Sequence, residues 1–429
     1  MNFNIENKIK DLNKFFILNN KLIFVFSYLY SFFSILVYYF GVGINFSFFR
    51  VAKMTPFSTF GDLRSLTFSS GCGKDINLLR STLENCDPYN RPFNYPRLIL
   101  DIFRGLDIDK YNTELIGLIF GLSSILGITI FSFKYIKDSN LKFICSSIFL
   151  LSLPVQLVIE RGNYDSLILN LFLLIPLFFN PLFNGKIIYS FFGISISFLI
   201  IKLKIFPIAG LFIWSSYLLF INKFQKYKIL SASIIIYIIA IFSTIFFNSL
   251  SLILTNTDNP EGWYSFGLLT LYQNENTFMM SYLYLLIKLF LIIFTCFNSF
   301  NSLKRKVLTT EKSQLIQYSY FILCSGQVLA LYFFFNSYDY RLIFSLGIIP
   351  FLVNNWHSFP KKIGFLNLNF LPYMVIFIFY QQYLPYSFNL EKVSSYLSDI
   401  IIQPIVVGLL LGFILSLSIK NLKFNYLSQ

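Results

Sequence analysis

The chain is 429 residues long, 56% hydrophobic and only 13% charged, with a formal net charge of +14 and a mean hydropathy of +0.65. A soluble domain carries about 25% charged residues, so this composition excludes an ordinary water-soluble enzyme and implies a polytopic helical membrane protein. The positive balance gives no ground for a nucleic-acid partner: 55 Phe, with abundant Ile, Asn, Lys and Tyr, indicate compositional bias, and where the charges lie says more than their sum.

A bilayer core about 30 Å thick requires about 20 apolar residues per helical crossing. The first such run, 22–44, follows a segment holding Lys8, Lys10, Lys14 and Lys21. It is longer than a signal-peptide core and no small-residue cleavage site follows, so it reads as an uncleaved anchor. Further runs lie at 113–133, 142–159, 165–183, 187–201, 205–221, 229–250, 279–300, 315–335, 341–356, 370–386 and 399–419. Those at 142–159, 165–183, 187–201, 205–221 and 341–356 are short, and are expected to be broken or to cross only partly. The fold class predicted is an all-α polytopic bundle of about 12 (10–13) transmembrane helices. Residues 1–21 form a cytoplasmic segment, 22–419 a single transmembrane domain and 420–429 a cytoplasmic tail.

Charge placement sets the expected orientation. With the N-terminus inside, KYIKDSNLK (134–142), NKFQKYK (222–228), KRKVLTTEK (304–312) and PKK (360–362) are cytoplasmic, whereas only Glu6, Asp11, Asp138 and Glu311 among 20 acids fall inside. The loop 251–278 has no Lys or Arg and falls outside. This is the positive-inside pattern, and it predicts a cell-membrane protein with both termini cytoplasmic. The two halves show no internal repeat, which disfavours transporter folds built from paired halves.

The first outer loop, 45–112, breaks the pattern by carrying both signs of charge in quantity. A loop of that length is usually functional. Two surface helices are expected in it: DINLLRSTLENC (75–86), with Ile76, Leu79 and Leu83 on one stripe, and PRLILDIFRGL (96–106), with Leu98, Ile99, Ile102, Phe103 and Leu106 on one side. Cys72 and Cys86 share the loop and either pair or remain free thiols. Cys145, Cys296 and Cys324 read as packing residues within spans. No Cys/His spacing suggests zinc, and the one His, His357, falls on the cytoplasmic side.

Four charged places face outward: Asp62 in FGDLRSLTF, the cluster Glu160, Arg161 and Asp165 in QLVIERGNYDSLILN, the pair Lys202 and Lys204 in KLKIFP, and Asp339 with Arg341 in NSYDYRLIF. Charge at membrane depth is costly and normally faces a cavity or a partner. An outer cavity holding carboxylates and cations suits a substrate with an anionic lipid head and sugar hydroxyls. Each place also has a structural reading: a solvated or capping Asp62, a local Glu160–Arg161 pair, lysines snorkelling to the interface, and an Asp339–Arg341 pair at a helix start. Lys288, within a span, either snorkels or faces the bundle interior.

GDLRSLTFSSG (61–71), GNYDSLILNLFLL (162–174) and KIFP (204–207) together resemble motifs of the GT-C membrane glycosyltransferases. They are most similar to glycosyltransferase family 87, the polyprenyl-phosphate-mannose-dependent transferases. The resemblance covers residues 20–220 and departs from the pattern in having Thr67–Phe68 for an early Tyr and no outer His. It implies a hexosyltransferase moving a mannose-like hexose, or a pentose, from a polyprenyl-phosphate donor to a lipid or glycan acceptor on the extracytoplasmic face. On it, Asp62 is the catalytic base. Lys204, Lys202, Arg161 and Arg341 are candidates for the donor phosphate, and Asn163, Asp165, Glu160 and Asp339 for the sugar or acceptor.

No Gly-rich phosphate loop or Asp-x-Asp motif on the cytoplasmic side favours a nucleotide sugar. The outer acids are compatible with a divalent cation, and no motif requires a metal. The competing readings are a lipid-linked sugar flippase or other transporter, and a surface-polysaccharide polymerase or ligase.

Overall fold

The structure, a computed structural model, describes residues 19–40, 60–72, 97–178, 187–204, 206–220, 235, 238–239, 265–266, 268, 278–304, 315–334, 337–356, 359, 361–363, 366–380 and 397–426. Its helices are α1 (Asn20–Tyr39), α2 (Gly61–Gly71), α3 (Arg97–Gly105), α4 (Thr113–Tyr135), α5 (Ser139–Leu150), α6 (Leu153–Arg161) and α7 (Asp165–Phe178). They continue as α8 (Ile187–Leu203), α9 (Pro207–Phe220), α10 (Phe278–Lys304), α11 (Leu315–Phe334), α12 (Ile349–Asn354), α13 (Leu371–Tyr380) and α14 (Gln403–Tyr426). A 3-10 helix, Asp339–Ile348, leads into α12, and a π-helical turn, Ser398–Ile402, leads into α14. Strands β1 (Ser265–Phe266) and β2 (Ser337–Tyr338) pair antiparallel, as do β3 (Lys362–Ile363) and β4 (Leu366–Asn367).

The solvent these helices are built for is written in what faces outward. Along α10, Leu283, Leu286, Phe290, Ile293 and Phe297 are exposed, while Lys288, Thr295 and Ser299 are buried. Their alternating spacing of three and four residues marks one continuous face. Helix α1 repeats the inversion, exposing Leu22, Val25, Phe26, Leu29 and Phe33 and burying Ser27, Ser31 and Ser34. Such faces would be large exposed apolar patches in water; in lipid they are satisfied, and small or polar residues meet at the helix interfaces instead. The protein is an all-α membrane protein.

Among the described residues five helical stretches are long and apolar enough to cross: Asn20–Tyr39, Lys110–Tyr135, Tyr282–Ser302, Ile316–Phe333 and Ser398–Leu417. Helices α5 and α6, bent by 49° at their junction, make a sixth if taken together. Shorter apolar helices, Asp165–Phe178, Phe191–Leu203, Pro207–Leu218, Arg341–Asn354 and Leu371–Tyr380, stand where five more spans were expected. Several of the breaks between these runs have local causes. Pro154 opens α6 after the Leu151–Ser152 break, Gly162 ends α6, and Pro207 opens α9. The expected span 229–250 lies outside the described residues apart from isolated positions, as does the expected surface helix 75–86.

Among the described helices, α10 and α14 make the most extensive contact. Gly408 and Gly412 permit it: a Cβ there would lie 1.9 Å from Thr295 Oγ1 and 1.7 Å from Ser299 Oγ, the close approach that paired small residues allow in membranes. Helix α9 packs on α11, α1 on α4 and α5, and the 339–348 helix bridges α6 and α11. Buried side chains from Ile35 to Leu417 join in one core.

Helix α3 forms where a surface helix was expected, with one correction. It buries Ile99, Leu100 and Phe103 and leaves Leu106 66% exposed. The buried face is set by packing on α2 and α8, which selects Leu100, while Leu106 falls in the turn just past the helix end.

Candidate functional site

Helix α6 ends at Arg161 because Gly162 takes φ +60°. The Gly162 N–H reaches the Ile159 carbonyl at 3.2 Å and the Asn163 N–H reaches the Val158 carbonyl at 3.0 Å, a Schellman closure. A side chain at 162 would be strained, and its Cβ would lie 3.0 Å from the Phe60 ring. Directly after the turn, Asn163 Oδ1 accepts the Asp165 N–H at 3.0 Å and so starts α7.

Helix α2 begins against this turn. Phe60 stands just before it with φ 60°, a left-handed conformation that is strained for a bulky residue. Its N–H donates to the Glu160 carbonyl at 2.8 Å, and its fully buried ring meets Tyr38 edge-on at 6.3 Å. The strained residue thereby brings Asp62, in the first turn of α2, to the end of α6. Arg64 to Glu114 at 2.7 Å and Thr67 to Thr113 at 2.7 Å brace α2 on α4.

The charged side chains then meet in one chain of hydrogen bonds. Arg161 Nη1 donates to Asp62 Oδ1 at 3.2 Å, and Asn163 Nδ2 donates to Asp62 Oδ2 at 2.9 Å. Asn163 Oδ1 also accepts from Lys204 Nζ at 3.2 Å, and Lys204 is ion-paired with Asp165 Oδ1. Lys204 stands just past α8, where the Tyr164 hydroxyl donates to the Leu203 carbonyl at 3.0 Å. Its Nζ lies 4.3 Å from the Tyr164 ring centroid and 5.5 Å from that of Phe206. The Arg341 guanidinium lies 5.0 Å from the same Phe206 centroid, so two cations share one aromatic ring.

Asp62 and Asp165 stand in the first turn of a helix, and Arg161 and Lys204 at or just past the end of one, which complements the helix dipoles; Arg341 stands instead near the start of the 339–348 helix. Asn163 and Asp165 are 1% and 0% exposed. Arg161, with 21% of its side chain accessible, is the outer edge of the cluster. Asp165 Oδ2 is buried with no hydrogen-bond partner among the described residues.

Of the residues singled out in the sequence, Asp62, Arg161, Asn163, Asp165 and Lys204 come together, and Arg341 joins them through Phe206. The local Glu160–Arg161 pair is replaced by Arg161–Asp62: neighbours on a helix diverge by about 100°. Glu160 is buried, and its carbonyl carries the Phe60 contact. Lys202 is not in the cluster; it is half-buried, with Nζ 5.7 Å from the Phe198 ring centroid on its own helix. Asp339 opens the 339–348 helix, and its side chain lies outside the described residues. Cys72 is disulfide-bonded, whereas Cys145, Cys296 and Cys324 are free; Cys86 lies outside the described residues.

Sequence reasoning missed Phe60, Tyr164 and Phe206, although the last two flank singled-out residues. An aromatic beside a cation at a span break is the signal that points to them. Among the described residues no group of three His, Cys, Asp or Glu side chains is arranged to hold a metal. The sequence matches no family model and no curated protein, and the fold matches no solved structure.

What remains is the chemistry of the cluster itself: a carboxylate held by two donors, and cations gathered beside it against aromatic rings.

Proposed function

We propose that the protein is an integral-membrane glycosyltransferase of the GT-C kind, moving a sugar from a polyprenyl-phosphate donor to a lipid or glycan acceptor. The observation that carries the reading is the unbroken chain Arg161–Asp62–Asn163–Lys204–Asp165 at one end of an apolar helical bundle. It joins a candidate base to candidate phosphate-binding cations, as a membrane-borne phosphosugar demands. The full bundle of about twelve spans, the cytoplasmic termini and an extracytoplasmic site in the cell membrane belong to the same proposal.

In this mechanism the acceptor hydroxyl oxygen attacks the anomeric carbon as Asp62 takes its proton. The carbon–oxygen bond to phosphate breaks, and the bonding pair leaves with the lipid phosphate. Attack opposite the leaving group inverts the configuration. A positioned base contributes about 10²–10⁴-fold, and cations offset the charge growing on phosphate.

Lys204 and Arg341, both beside Phe206, hold that phosphate. Arg161, part of whose side chain is accessible, turns from Asp62 to the phosphate as donor binds and frees an Asp62 oxygen for the acceptor. Asp165 holds Lys204, Asn163 sets the distance between base and cation, and Glu160 and Asp339 border the sugar. Leu342 and Ile348, on the helix that carries Arg341, line an apolar cleft suited to an isoprenoid tail.

The test supplies membranes containing the protein with a panel of radiolabelled polyprenyl-phosphate sugars and a lipid and glycan extract. Consumption of one donor with label appearing in acceptor is the expected outcome. Movement of intact donor across vesicles without transfer would favour the flippase reading instead.

A further inference from the structure

A second buried ion pair lies outside the cluster. Lys288 on α10 is fully buried, and its Nζ meets Asp399 Oδ2 at 3.0 Å and the Leu268 carbonyl at 3.2 Å. Asp399 lies in the Ser398–Ile402 turn, and π-turns of this kind recur at functional sites. A buried ion pair is poor value for stability alone, because well-packed apolar residues do as well or better. What this pair adds is the third partner, a backbone carbonyl of residue 268.

That carbonyl belongs to a short connected path. The Leu268 N–H donates to the Tyr332 carbonyl at 2.8 Å. Just before Leu268, β1 pairs with β2 in the register Ser265 to Tyr338 and Phe266 to Ser337. Strand β2 runs straight into the 339–348 helix, whose third residue is Arg341. The path thus leads from a charge pair between α10 and the turn before α14 to the guanidinium beside Phe206.

We propose that Lys288 and Asp399 are positioning residues: through Leu268 and the β1–β2 pairing they fix the entry to the 339–348 helix and hold Arg341 at the anion-binding cluster. The proposal rests on the proposed function for the identity of the anion, and on the contacts alone for the tether.

The test uses Ser265→Cys with Tyr338→Cys in full-length protein in which Cys145, Cys296 and Cys324 are replaced by Ala. Directly paired positions have Cβ atoms about 4.5–5.5 Å apart, and a small approach of the strands brings them to the separation of about 3.5–4.5 Å in a disulfide, so mild oxidation traps the pairing. Adding Lys288→Met with Asp399→Leu removes both charges and leaves neither one buried alone. Trapping should slow about tenfold, the equilibrium effect of losing one charge-assisted hydrogen bond, with the elution profile in detergent unchanged. Asp399→Asn, which keeps size and an acceptor, is read in parallel and should slow trapping less. Wild-type trapping in whichever variant folds overturns the proposal.

A merely structural role would leave one further readout unmoved. Once oxidised, the 265–338 disulfide replaces the tether, so donor consumption lost in the doubly neutral variant should return; failure to return, in protein whose cross-linked wild-type counterpart is active, contradicts the positioning role. Trapping needs no substrate. Slowed trapping in a protein that consumes no polyprenyl-phosphate sugar would therefore uphold the tether and reject the glycosyltransferase.

Discussion

Asn163 Nδ2 donates to Asp62 Oδ2 at 2.9 Å, across 101 positions of sequence. The orientation of the amide is forced, since its oxygen faces two donors, the Asp165 N–H and Lys204 Nζ. One side chain thus sets how far the candidate base stands from the candidate phosphate site. Asn163→Ala removes both links while leaving the Gly162 turn intact. Donor consumption should fall about 10–100-fold, the equivalent of losing a hydrogen bond to a charged group, with expression unchanged. A steady-state assay in membranes at matched protein level measures it; wild-type turnover would remove Asn163 from the account.

Lys204 and Asp165 form a buried pair, and removing one side should cost more than removing both. Lys204→Met leaves the fully buried Asp165 uncompensated, at a cost of about 3–5 kcal/mol. Lys204→Met with Asp165→Leu should recover most of that stability without recovering donor use. Thermal unfolding in detergent, run beside the transfer assay, separates the two effects.

These two positions also show what the sequence could tell. Charge between apolar runs marked Asp165 and Lys204 because lipid makes such placements costly, and long spans such as α4, α10 and α14 were legible from run length alone. Helix α2 was not, since GDLRSLTFSSG has neither a long apolar run nor a stripe, and its helix depends on contacts with Glu160 and α4. Lys202 and Lys204 looked equivalent in sequence. Two residues along a helix turn by about 200°, and only Lys204, beyond the helix end, reaches the cluster. The link from Lys288 through Leu268 to Arg341 rests on pairings between distant segments, which no local pattern encodes.

Gly412→Leu should prevent α14 from seating on α10. The added Cβ alone would fall 1.7 Å from Ser299 Oγ, and that oxygen belongs to a short side chain on a packed backbone. Loss of the monodisperse species in detergent is expected. A Gly412→Leu protein that elutes and melts like wild type would mean that the helices do not approach so closely.

Gln327 is fully buried, and neither amide atom has a hydrogen-bond partner among the described residues. A buried unmet polar group costs about 1–3 kcal/mol. Gln327→Leu, similar in size and apolar, should therefore raise the melting temperature in detergent. A lower one would show that the amide is satisfied in the membrane.

The proposed orientation puts Leu106, which is 66% exposed, on the side of the cluster and the exposed Ser139 at the opposite end. In intact cells a membrane-impermeant maleimide should label Leu106→Cys and leave Ser139→Cys unlabelled until the cells are opened. The reverse pattern would turn the site to the cytoplasm and remove the extracytoplasmic donor from the account.

The central claim rests on Asp62 as the group that accepts the acceptor proton. Asp62→Asn keeps the shape and a hydrogen-bonding oxygen but removes the base. It is compared with wild type at matched levels, following transfer from the donor that wild type consumes. A rate lower by about 10²–10⁴-fold, with donor still bound, is the predicted result. Transfer at the wild-type rate would contradict it.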